Sequence, residues 1–261
     1  MRALDFNSRL VRWCGLTALS LAAQAAVAAV PDFSGVWERY PPLHVPGTSR
    51  DALFGADPVP EGEPPRLREP YAIPYKVQQE KEHAASEEGK PLADSSIQCL
   101  PNGMPTMMTG ILPIQIVQTR HEMLVIAEEL AQLRHIYLSE QLPSMDDIVP
   151  GYNGYSAGRF VGRTLVVETV GIRTDVHFLG MPHSEDMKVV ERFKLIAPDM
   201  LEDRIEIRDP EVLLQPYEFT FTYKKNPHYR LGEYVCDNNQ YGVNSDGTVR
   251  FDPPSNGGNS K

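Results

Sequence analysis

The sequence predicts a mainly β protein, a single antiparallel meander closing into a barrel. Two observations carry that reading. First, residues 162–223 hold four successive runs whose apolar residues recur with period two, the signature of strands with one face buried. Second, the links between these runs are too short for a parallel crossover, so consecutive runs pair as antiparallel neighbours. Helix is expected to be a minor component.

The elements follow in chain order. Residues 1–28 form a secretory signal peptide: Arg2, Arg9 and Arg12 precede an apolar stretch from Trp13 to Val27, and Ala26-Val27-Ala28 offers a cleavage site. A retained anchor is the alternative, although the apolar core is short for a membrane span. Residues 29–98 hold a first strand around Gly35 and then a Pro-rich arm; residues 41–91 contain ten of the chain's 23 prolines, a density that prevents a continuous strand or helix. Within that arm, Tyr75 to Glu88 is a polar helix ended by Gly89 and Pro91, too polar to form a core. Residues 99–240 form the barrel domain. Ile111 to Ala127 and Leu133 to Leu138 are expected as two strands, followed by a glycine-rich turn at Gly154–Gly158. The four clearest strands are 163–170, 187–195, 201–208 and 217–224, with Val189, Glu191, Phe193 and Leu195 on one face, Ile205 and Ile207 on one face, and Phe219, Phe221 and Tyr223 alternating with threonines. Residues 241–261, rich in Gly, Asn, Ser and Pro, are expected as a flexible tail.

Charge and cysteine content narrow the function. The full chain has a net charge of −10; residues 1–28 carry three Arg and one Asp, a net of +2, so the mature chain is at about −12. An acidic chain with no basic cluster beyond Lys224-Lys225 is a poor binder of nucleic acid or of anionic membrane surfaces, which leaves small molecules or proteins as partners. Cys14 leaves with the signal, and the two remaining cysteines, Cys99 and Cys236, are read as one disulfide in a periplasmic or secreted protein. Two buried free thiols are the alternative. Neither cysteine has a second ligand at zinc spacing.

The Gly-x-Trp at Gly35 followed by a meander resembles the opening strand of lipocalin-like, or calycin, barrels. Further motifs run from Cys99-Leu-Pro-Asn-Gly-Met-Pro105 through Gly158-Arg-Phe-Val-Gly-Arg-Thr-Leu-Val-Val-Glu-Thr169 and the Ser184–Phe193 segment to Asp209-Pro210 and Glu233–Asn239. Together they resemble a large family of exported bacterial proteins with the pattern C-x-P-x-G-x-P, W-x-G-D-T-L-V-V-x-T, S-E-x-L-x-V-V-E-R-F, D-P and E-Y-x-C-x-x-N. The chain departs from it at Phe160, where the pattern has Trp, and at Arg163, where it has Asp. The resemblance implies export and the barrel fold, with no assigned reaction to carry over.

Chemistry is sought in side chains, because the chain has no G-x-G-x-x-G after a strand, Walker loop, C-x-x-C-H or H-E-x-x-H; no cofactor or metal is expected. Gly154-Tyr-Ser-Ala-Gly158 fits G-x-S-x-G, but a nucleophile elbow needs a strand before and a helix after it, and here a strand follows. His177 and His183 lack the register of a metal site. Glu191 sits in the apolar row of its strand, so it is a buried carboxylate that needs either a cation or a chemical role. Glu191 is the candidate proton acceptor and His177 or His183 the donor; Arg134, Tyr137, Arg192 and Tyr155 are candidate substrate-binding residues, and Arg208 a further candidate cation. An internal salt bridge is the competing use of Glu191. Met104, Met107 and Met108 are read as core filling or a covering loop, with a soft rim for an apolar ligand as the alternative. The expected function is an exported, cofactor-independent lyase or isomerase acting on a small oxygenated, aromatic compound. The alternatives are a carrier for a hydrophobic ligand and an interaction module with a filled barrel.

Overall fold

In a computed structural model, which describes residues 30–41, 63–90, 92–93, 96–236 and 241–251, nine strands close on themselves in sequence order. They are β1 (Gly35–Arg39), β2 (Ile114–Gln118), β3 (Glu122–Ala127), β4 (Gln132–Leu138), β5 (Tyr155–Val161), β6 (Thr164–Val170), β7 (Lys188–Ala197), β8 (Met200–Arg208) and β9 (Tyr217–Lys225). β1 pairs with both β2 and β9, which closes the wall and leaves the barrel no open edge. The expected signal peptide lies outside the described residues.

The four strands legible as alternating runs pair antiparallel in order, and their alternation points the expected residues inward. Val189, Phe193, Ile205, Ile207, Phe221 and Tyr223 are all fully buried, each contributing about 1.5–3 kcal/mol relative to exposure. Three features differ from the sequence reading. The expected single strand Ile111 to Ala127 is the hairpin β2–β3, because the Thr119 hydroxyl accepts from the His121 and Glu122 amides and closes a tight turn between them. The segment expected as a glycine-rich turn is β5, and the actual turn into β6 sits at Gly162. β4 and β5 run parallel, so the meander is broken once; residues 139–154 carry the chain back along the barrel, the length a parallel link demands.

The Pro-rich arm contributes α1 (Ala72–Glu87), which starts three residues before the expected helix and buries none of its own residues. Gln79 ties it to the Leu179 carbonyl at 3.0 Å. Residues 241–251, expected to be flexible, form the small hairpin β10 (Tyr241–Val243) and β11 (Val249–Phe251). Asp246 accepts from the amide and hydroxyl of Thr248 and shapes its turn.

Two further devices close the interior. Phe33 is fully buried between Phe160 and Phe193, at 6.2 and 6.3 Å between ring centroids, and its carbonyl accepts from the Trp37 indole at 2.8 Å. A buried 3-10 turn, Thr106–Thr109, brings Met104, Met107 and Met108 into the core as filling, in line with the sequence expectation. It is fastened by the Gly103 amide to Gln132, the Met104 amide to the Tyr152 carbonyl, Arg39 to the Thr109 carbonyl, and the Tyr223 hydroxyl to the Met108 carbonyl. Cys99 and Cys236 are joined across 137 residues with their Cα atoms 5.7 Å apart, a bond that belongs to oxidising compartments. Among the described residues no helix is long and apolar enough to cross a membrane.

Candidate functional site

Six consecutive strands each direct a polar side chain into the apolar interior: Arg134 from β4, Ser156 from β5, Thr169 from β6, Glu191 from β7, Asp203 from β8 and Tyr223 from β9. Ser156 and Thr169 are direct cross-strand partners. From there each step is diagonal by two residues, since Thr169 faces Val189, Glu191 faces Ile205 and Asp203 faces Phe221. Diagonal neighbours remain within reach of long side chains, so the six form one band along the wall.

Arg134 organises half of that band. Its guanidinium is 1% exposed and grips both oxygens of the fully buried Glu191, with Nη1 to Oε1 at 2.8 Å. Nη2 also donates to the Thr169 hydroxyl at 2.8 Å and Nε to the Ser156 hydroxyl at 3.2 Å, while those two hydroxyls lie 2.9 Å apart. The planar fork of arginine suits this bidentate grip on a carboxylate. Four of its five N–H donors are thereby committed, whereas each Glu191 oxygen keeps lone-pair capacity.

The other half is built differently. Asp203 is fully buried, and neither of its carboxyl oxygens has a hydrogen-bond partner among the described residues. Burial pushes its proton affinity well above that of an ordinary carboxyl, the charge on Glu191 adds to this, and Arg134 offsets part of it. Burial thus favours the protonated form of Asp203, near a carboxyl that arginine grips through both oxygens. Tyr223, also fully buried, is pushed the same way by burial, so it keeps its proton and donates to the Met108 carbonyl.

Of the residues expected at a site, Glu191 and Arg134 are brought together and the others lie elsewhere. Tyr137 and Tyr155 stack on the outer face of the barrel, with centroids 5.1 Å apart, beside His135. The Tyr155 hydroxyl donates to Glu140, and His135 pairs with Glu122 at 2.5 Å. Arg192 and Arg208 also point outward and share Glu206, whose carboxyl Arg208 holds below the usual range. His177 is exposed in the β6–β7 loop. His183 is buried there, with its ring nitrogens facing the carbonyl oxygens of Ser184 and Arg173 at 2.8 and 3.0 Å. Both histidines follow β6 in a loop rather than alternating within a strand, so nothing in their local pattern directs them inward. Next to His183, Ser184 donates through its amide and hydroxyl to Asp209, which also caps the amides of Glu211 and Val212. These two motif residues thus fasten one loop to another.

Sequence reasoning missed Asp203, Ser156, Thr169 and Tyr223 as site residues. The signal for Asp203 was present, since the alternation that turns Ile205 and Ile207 inward also turns Asp203 inward. Ser156 is no nucleophile elbow, because it sits within β5 with its hydroxyl bonded to Arg134 and Thr169.

The buried apolar side chains of the barrel form one packed cluster. Two recesses of the described surface, of about 300 and 310 Å³, lie outside the barrel beside Pro64–Arg66 and beside Leu142–Met145, and neither is lined by a residue of the polar band. Among the described residues no group of three or more His, Cys, Asp or Glu side chains is placed to hold a metal ion. Neither a protein-family model nor a curated protein matches the chain.

Proposed function

We propose that the protein is an exported β-barrel that binds a small oxygenated compound within its polar band and acts on it by acid/base chemistry, without a cofactor. The observation that carries this is the Asp203 carboxyl, buried with both oxygens unpartnered beside an arginine-held Glu191. Buried polar groups are nearly always satisfied, and an exception points to strain or to a ligand. Carboxyl pairs whose surroundings drive their protonation apart are also the usual basis of acid/base assignments. Glu191 keeps its expected role as proton acceptor, through the lone pairs Arg134 leaves open. Export rests on the disulfide, on the N-terminal signal pattern and on the resemblance to exported bacterial proteins. Entry requires the Met104–Thr109 segment to lift, because its side chains fill the core beside Tyr223.

The test is incubation of the purified, disulfide-bonded protein with a panel of uncharged hydroxylated and carbonyl aromatics, read by mass spectrometry of products and by melting temperature. At least one compound is expected to stabilise the protein and to be converted, with Glu191→Gln lowering turnover by about 10² or more. A panel that neither shifts melting nor yields product overturns the reading. The packing of the barrel core favours a second reading in that event, an interaction module that grips a partner through its Pro-rich arm.

A further inference from the structure

We propose that Asp203 is the catalytic proton donor of this interior site, and that the site takes an uncharged, hydroxyl-bearing ligand with an aromatic body. The inference rests on the acid/base reading above and names the donor and the ligand class that it leaves open.

The geometry points to Asp203 from three sides. It faces inward from β8 with Phe193 and Phe221 as its cross-strand partners, so aromatic surface flanks it on both sides. Its charged and titratable neighbours are Glu191 from β7, Arg134 from β4, Tyr223 from β9 and Glu202 on its own strand. Arg134 is already spent, because it holds Glu191 through both oxygens and two hydroxyls besides, and Arg39 of β1, which lies over the Phe221 ring at 4.1 Å, is committed to the Thr109 carbonyl. An anionic ligand would thus meet the Glu191 charge without a free counter-ion. A ligand hydroxyl, in contrast, matches a buried carboxyl that, when protonated, has one O–H to give and no partner among the described residues to take it. The imidazoles expected in this role lie in the β6–β7 loop, His177 exposed and His183 facing backbone carbonyls.

The step this arrangement serves is loss of water from an alcohol. Glu191 removes a proton from the carbon next to the hydroxyl-bearing one, and that C–H electron pair becomes the new C=C bond. The C–O bond breaks with its pair on oxygen, the Asp203 proton joins it, and water leaves. Glu191 then returns its proton to Asp203, so the site is restored and nothing is oxidised or reduced.

The test uses the full disulfide-bonded protein, with 1-phenylethanol as the neutral probe and benzoate as its anionic counterpart. Carbon-13 labelling of the aspartate carboxyls, followed by NMR across a pH series, is expected to reveal one carboxyl still neutral at pH 7. 1-Phenylethanol is expected to bind at least about tenfold more tightly than benzoate and to be dehydrated to styrene. Asp203→Asn, which keeps a donor but has no proton to transfer, should retain binding within a few-fold while styrene release falls about 10²-fold; Asp203→Leu should also weaken binding, by about three- to tenfold, the scale of one hydrogen bond. If all aspartates ionise in the usual range while 1-phenylethanol still binds, the inference is overturned and interior binding stands. Styrene release unchanged in Asp203→Asn overturns it as well. If neither probe binds although one aspartate is neutral, the binding reading falls and takes the inference with it. The labelled wild-type protein reports protonation even where a variant does not fold.

Discussion

Replacing Arg134 by methionine tests how the barrel tolerates charge in its interior. The substitution keeps an apolar stem of similar reach and deletes all four hydrogen bonds that Arg134 makes to Glu191, Thr169 and Ser156. Glu191, fully buried, is then left without its cation. Breaking a buried pair from one side costs about 3–5 kcal/mol, a large fraction of the roughly 5–15 kcal/mol that holds a typical domain. At about 2–4 °C per kcal/mol for a domain of this size, melting should fall by about 6–20 °C. Arg134→Met combined with Glu191→Leu removes both charges, and Ser156 and Thr169 still have each other at 2.9 Å. The double variant should therefore return to within about 1 kcal/mol of the parent, since well-packed apolar replacements of buried pairs are close to neutral. Urea unfolding followed by Trp37 fluorescence, with the disulfide intact, measures all corners of the cycle. The reasoning is refuted if Arg134→Met costs less than about 1 kcal/mol, or if the two single losses simply add.

Asp203 sets a pH dependence whose sign follows from its raised proton affinity: the folded state holds the proton longer than the unfolded one, so stability declines as pH rises above the ordinary carboxyl range. Asp203→Asn should flatten that decline, whose slope reaches at most about 1.4 kcal/mol per pH unit for one proton, and urea midpoints between pH 4 and 8 that run parallel in both proteins would contradict it. Removing the Cys99–Cys236 bond, which spans 137 residues, should cost up to about 5 kcal/mol by the loop-entropy argument; equal stability of the oxidised protein and a Cys99→Ser, Cys236→Ser variant by denaturant titration would refute this. Gly103→Ala should cost about 1–3 kcal/mol, because φ is +71° there and a Cβ would sit 2.5 Å from the Tyr152 carbonyl oxygen and 2.8 Å from Val176; an unchanged melting temperature would refute this.

How much of the fold was legible depended on whether the information was local. Strands β6 to β9 could be read because period-two alternation is a property of neighbouring residues, and the short links into β8 and β9 leave an antiparallel partner as the sole choice; the loop between Val170 and Lys188 is as long as the one that makes β4 and β5 parallel, so its length did not dictate the β6–β7 pairing. β5 could not. Gly154, Gly158 and Gly162 gave residues 154–162 the composition of a turn, yet Gly158 is packed within 3.0 Å of Ile136 once a Cβ is imagined on it, so the glycine there permits close approach of β4 and β5 rather than a reversal. The parallel β4–β5 pair was invisible for the same reason. Residues 139–154 carry no pattern that says they span the barrel, and only the closed wall makes that route necessary.

The candidate site divides along a similar line. That Glu191 faces the core was legible, because facing is local; that Arg134 of β4 reaches it was not, because that contact depends on strand order and register, although parity already sets Arg192 and Arg208 on the outer face. Arg134 alternates with Leu133 and His135 and so faces inward, while Arg192 follows an inward residue and must face out. Tyr137 and Tyr155 failed on parity in the same way: each lies one residue from an inward neighbour, Ile136 and Ser156, and a tyrosine on the wrong parity cannot reach a ligand inside, however close it is in sequence. Parity alone would also have brought in Asp203, two residues before Ile205. Strand parity is thus the sequence feature that separates residues sharing the interior from those on the outer wall, and it places Arg134, Glu191 and Asp203 inside while leaving Tyr137 and Tyr155 outside.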